Sequence, residues 1–75
     1  MARRKIPYTE MRKRIIEETA KAVGANERFV EAGLEIRPKE GTPNWKANIS
    51  IAPKAVNQAF AETLGSMQKA YDVAW

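Results

Sequence analysis

Apolar and polar positions along the chain follow two different periods, and the changes between them mark four predicted elements. Residues 9–23 have a helical period. Met11, Ile15, Ile16, Ala20, Ala22 and Val23 occupy about half the circumference of a helix, and Glu10, Lys13, Arg14, Glu17, Glu18 and Lys21 occupy the other arc. Thr9 is the expected N-cap, because its hydroxyl can accept from an orphan backbone N–H. Glu10 then meets the positive end of the helix dipole. Gly24 stands where the chain must leave the helix with a positive φ.

The period changes to two over residues 29–37. Val30, Ala32, Leu34 and Ile36 alternate with Glu31, Gly33, Glu35 and Arg37, which predicts a strand. A short helix capped by Asn26 is the competing reading, since Phe29, Val30 and Leu34 also share a helical face. Over residues 45–51, Trp45, Ala47, Ile49 and Ile51 alternate with Lys46, Asn48 and Ser50, which predicts a second strand. The turn-forming residues of 38–44 lie between the two strands and make a hairpin; they also form a candidate binding loop. Pairing apolar with apolar residues allows three registers near the loop. The preferred one sets Ile36 opposite Trp45, Leu34 opposite Ala47, Ala32 opposite Ile49 and Val30 opposite Ile51. It also sets Glu35 opposite Lys46, a favourable cross-strand pair. A shift of two residues instead brings Arg37 opposite Lys46.

Residues 53–72 return to the helical period, with Pro53 in the first turn, where its missing N–H is not needed. Val56, Phe60, Thr63, Leu64, Met67 and Tyr71 form the apolar stripe, with the small residues Ala55, Ala59, Ser66 and Ala70 beside it. The predicted fold is α+β in the order α-β-β-α, an antiparallel hairpin with two amphipathic helices packed on one face. A second copy could extend its sheet to four strands. Residues 1–7 read as a flexible basic arm and residues 8–75 as a single small domain.

Composition narrows the function classes. With 75 residues, the chain buries only a thin core. It has neither cysteine nor histidine, which removes disulfides and the usual zinc ligands as staples. Association with a second copy is the remaining support for so small a domain, so a homo-oligomer is expected. Ala55, Ala59, Ser66, Ala70 and Trp75 are the candidate contacts, because small side chains let another helix approach and Trp75 is a large apolar residue near a chain end. The alternative role for the small row is packing against the first helix of the same chain. No apolar run reaches the roughly 20 residues that cross a bilayer, and no apolar stretch follows Arg3, Arg4 and Lys5 as a secretory signal requires. A cytoplasmic location follows as the expectation, with no membrane partner.

The net charge of +4 is concentrated at one end. Residues 1–14 hold six bases against Glu10 alone, and the remainder is close to neutral. Basic arms neutralise phosphates and release counterions, so Arg3, Arg4, Lys5 and Arg12 form the candidate nucleic-acid contacts of an alternative reading. Against it, Glu10–Arg14, Lys13–Glu17, Arg14–Glu18 and Glu17–Lys21 lie four apart and pair along a helix. Trp45 could stack a base, but its place on the strand face of Ile49 and Ile51 favours the core. The usual parts of a catalytic site are missing: there is no histidine for proton transfer, no cysteine nucleophile and no glycine-rich phosphate loop. The expectation is a non-enzymatic protein-interaction domain that needs no cofactor and acts as a homodimer.

Overall fold

The computed structural model describes residues 4–24, 26–50 and 53–75. The order is β1 (Arg4–Pro7), α1 (Tyr8–Val23), α2 (Glu27–Gly33), β2 (Leu34–Pro38), β3 (Trp45–Ile49), α3 (Lys54–Ala70) and β4 (Tyr71–Ala74). Mixed helix and strand bear out the α+β class. The α-β-β-α order is corrected by three further elements, β1, α2 and β4.

β1 occupies most of the segment read as a flexible arm. Residues 4–7 pair in parallel with β4, Arg4 opposite Tyr71 through Pro7 opposite Ala74. Pro7 disfavours helix at Ile6 and so holds the chain extended up to the helix start. Ile6 is buried and ties β1 to the core, whereas Arg4 and Lys5 are exposed. α1 follows at once, with Pro7 rather than Thr9 at its N-cap position and no side-chain cap. Its far end is as expected: Gly24 takes φ 65° and donates to the carbonyls of Ala20 and Lys21. The α1 stripe is corrected at one edge, because Ala22 is exposed and Thr19 is buried in its place.

α2 is the competing helical reading of residues 29–37, realised over the first part of that span. The Asn26 side chain accepts from the Arg28 N–H at 2.9 Å and starts the helix. At the other end, Arg12 of α1 donates to the carbonyls of Glu31 and Leu34, each at 3.1 Å. A guanidinium from another helix thus satisfies acceptors that a short helix leaves open. The alternation read over 29–37 is a strand only from Leu34 onward.

The hairpin forms in the register that brings Arg37 opposite Lys46, with Glu35 opposite Asn48, Ile36 opposite Ala47 and Leu34 opposite Ile49. Two causes override the charge argument that favoured Glu35 against Lys46. Glu35 pairs with Arg37 along its own strand and offsets the repulsion. This register also closes the hairpin sooner, since the Lys39 N–H reaches the Asn44 carbonyl at 3.0 Å, and a shorter loop costs less closure entropy. Ile51 and its expected pairing lie outside the described residues. Gly33 sits at the junction of α2 and β2, where a Cβ would meet the Ser50 carbonyl oxygen at 2.8 Å. The missing side chain lets Ser50 N–H bond the Gly33 carbonyl at 2.9 Å.

α3 ends at Ala70, two residues short of the helix expected over 53–72, because Tyr71 and Asp72 belong to β4. Helices α1 and α3 pack together, and the core runs through Met11, Ile15, Val30, Ile36, Trp45, Phe60 and Val73. Trp45 is fully buried, as expected from its strand face. Among the described residues no helix is long and apolar enough to cross a membrane.

Candidate functional site

Two two-stranded sheets expose four outer edges, and backbone groups on such edges must find partners in water, in side chains or in another chain. Two of the four edges are closed or blunted, and a third is met in part. On β4, the Asn44 side-chain amide acts as a one-residue strand: its Nδ2 donates to the Val73 carbonyl and its Oδ1 accepts the Val73 N–H, both at 2.8 Å. The Asn44 N–H donates to the Asp72 carboxylate at 3.2 Å, and Trp45 Nε1 donates to the Tyr71 carbonyl at 3.0 Å. This clasp joins the two sheets. On β3, Gln68 Nε2 of α3 donates to the outward Trp45 carbonyl at 3.2 Å, while Ala47, between Lys46 and Asn48, also turns its backbone groups outward. β1 is four residues long, carries exposed Arg4 and Lys5, and ends on Pro7, features that deter pairing.

The fourth edge, on β2, is different. Antiparallel partners exchange their backbone bonds at alternate residues. The bonds at Gly33–Ser50 and Lys39–Asn44 fix which residues face β3. Leu34, Ile36 and Pro38 therefore turn their backbone groups outward. The Leu34 N–H is held by the Glu31 carbonyl and its own carbonyl by Arg12. Pro38 has no N–H to offer. Ile36 is left with a donor and an acceptor that have no hydrogen-bond partner among the described residues. Glu35 and Arg37 flank it, with side chains 54% and 67% exposed. β3 is the one element packed extensively along β2.

The expected contact residues are scattered. Arg3 lies outside the described residues. Arg4 and Lys5 stand exposed on β1, but Arg12 is engaged by the Leu34 and Glu31 carbonyls, although the sequence shows no local partner for it. Of the small row on α3, Ala59 is buried, whereas Ala55, Ser66 and Ala70 are exposed. Trp75 remains 53% exposed, its ring centroid 5.7 Å from that of Tyr8 and its Nε1 donating to the Asn44 carbonyl at 3.3 Å. Asn44 is the residue that sequence reasoning missed. It reads as one more turn former, and nothing local signals its contacts with a strand near the other end of the chain.

An open groove of about 470 Å³ runs between α1 and α3, lined by Arg14, Glu18, Glu62, Thr63, Ser66, Met67 and Tyr71. Arg14 bonds Glu10 at 3.1 Å and the Tyr71 hydroxyl at 3.0 Å, and its guanidinium carbon lies 5.3 Å from the Tyr71 ring centre. The Glu10 hydrogen bond, then that of Tyr71, raises the Arg14 pKa further above its ordinary value. This charge serves to fasten α1 to β4. Among the described residues no group of three carboxylates could hold a metal ion. Compared with known proteins, the chain matches no family model, no curated protein and no solved structure, so a function has to come from its own residues.

Proposed function

We propose that this chain is a small protein-interaction domain, without a catalytic role, that assembles as a homodimer. The observation that carries the reading is the edge of β2, where Ile36 has an outward donor and acceptor without a hydrogen-bond partner among the described residues and is flanked by one acid, Glu35, and one base, Arg37. A domain of this size without staples gains most from burying surface against another chain. The lack of cysteine fits work in the cytoplasm. The test is mass by light scattering and sedimentation over a wide concentration range. A concentration-dependent rise from the 8.4 kDa of one chain to twice that mass is expected; a strict monomer at every concentration overturns the reading.

Nucleic-acid binding is the second reading, supported by the exposed Trp75 beside Tyr8 and the exposed Arg4 and Lys5 on the adjoining strand. An aromatic face next to cations is the pattern of single-strand binders. With Arg12 engaged elsewhere, Arg3, Arg4 and Lys5 would hold phosphates. Titration of labelled single- and double-stranded DNA and RNA at two salt concentrations tests this. Salt-sensitive binding lost on changing these residues to alanine supports it, and no binding at low salt removes it.

A further inference from the structure

The homodimer reading leaves open which surface pairs, and the charges on β2 answer that. We infer that two copies join β2 to β2 in antiparallel fashion about Ile36, forming a four-stranded sheet in the order β3-β2-β2-β3. The inference rests on the homodimer reading and adds a surface, a register and a charge rule.

A two-fold axis through an antiparallel strand pair sets the residue at the axis opposite itself. Ile36 is the β2 residue whose outward N–H and C=O are both free among the described residues. With Ile36 at the axis, each copy's Ile36 donates to the other's carbonyl, and neither group stays unpaired. Leu34 then lies opposite Pro38. Leu34 has both backbone groups satisfied within its own chain, and Pro38 lacks a donor. The register therefore pairs both free groups of Ile36 and leaves only the Pro38 carbonyl to water.

Side-chain charge selects the same register. Glu35 and Arg37 flank Ile36, so pairing about Ile36 sets Glu35 of each copy opposite Arg37 of the other. Opposite charges facing each other across strands are favourable, and like charges are not. Each chain already holds Glu35 and Arg37 together on its exposed face. The dimer would join the two pairs into a ring of alternating charge. An antiparallel pairing of β1 with itself between Arg4 and Lys5 would instead bring cation against cation. The helices cover the opposite face of the hairpin and would lie on one side of the joined sheet, leaving Glu35, Arg37, Lys46 and Asn48 on the other. An isologous pairing of this kind closes at two copies.

The test is a charge swap read by light scattering and sedimentation, with circular dichroism confirming that each variant is folded. Arg37→Glu sets carboxylate against carboxylate, and Glu35→Arg sets guanidinium against guanidinium. Each is expected to weaken dimerisation about tenfold or more. The double variant E35R/R37E restores opposite charges in the same register and is expected to recover the wild-type dimer. Ile36 amide exchange in the wild type is expected to slow as concentration rises. Single reversals that leave dimerisation unchanged, or a folded double variant that stays monomeric, overturn the β2 interface while the homodimer stands. A wild type that is monomeric throughout overturns both.

Discussion

The hairpin sheet and the terminal sheet have two strands each, but they are assembled from very different distances along the chain. β2 and β3 are neighbours, closed by a short turn from Lys39 to Asn44. β1 and β4 have every helix of the fold between them. Hairpin pairing is encoded by local alternation and turn chemistry, and closing it costs little chain entropy. The parallel pair joins strands far apart in the chain, and the packing of α1 against α3 holds them side by side. The hairpin also keeps a reactive edge, whereas the terminal sheet has its edges closed by Asn44 or blunted by charge and proline. The sheet of distant strands is protected by side chains, and the sheet of neighbouring strands is left able to pair.

The largest expected effect breaks both sheets at once. Trp45 is fully buried and bonds the Tyr71 carbonyl from within the hairpin. Trp45→Ala should cost about 3–5 kcal/mol, enough to leave a domain of this size largely unfolded in a denaturant titration. Next is Asn44→Ala, which strands the N–H and C=O of Val73, itself 1% exposed. About 2–3 kcal/mol is expected for two buried groups left unsatisfied. Amide exchange should rise on β1 and β4 while the amides between β2 and β3 keep their protection; equal loss in both would show that the two sheets open together.

Gly33→Ala tests the hairpin alone. Its new Cβ would press on the Ser50 carbonyl, and a loss of about 1–3 kcal/mol is expected, with the Gly33–Ser50 end of the hairpin exchanging first. The smallest effect has the opposite sign. The Thr19 hydroxyl is buried on α1 without a hydrogen-bond partner among the described residues. Thr19→Val removes that group at nearly constant shape and should stabilise by about 1 kcal/mol or less, read as a higher Tm. A lower Tm would show that the hydroxyl is bonded.

Where the structure departs from the sequence pattern, both local and distant contacts are the reason. Alternation over 29–37 looked continuous, but an Asn26 cap and the Arg12 guanidinium turned its first part into α2. The helical stripe of 53–72 runs on to Asp72, although Tyr71, Val73 and Trp75 also alternate as a strand would. A four-residue strand is too short for its period to outweigh a long helical stripe beside it. The open edge was legible only as a hairpin with two free sides. Which outward groups find partners depends on Gln68 of α3 and on Arg12, whose positions no local pattern states.

The sequence by itself determined the α+β class, the extent of α1 up to Gly24, the buried Trp45, and a hairpin turning within 38–44. These follow from periodicity, the φ demanded at a helix end, and turn composition, all of which act within a few residues. Tertiary structure decided the pairing of β1 with β4, the support of residues 27–33 as helix by Arg12, and the outward backbone of Ile36, whose side chain is itself in the core. Each of these turns on a single side chain, Arg12 or Asn44, or on the packing of α1 against α3. Such contacts form between segments whose separation in sequence carries no record of their distance in space.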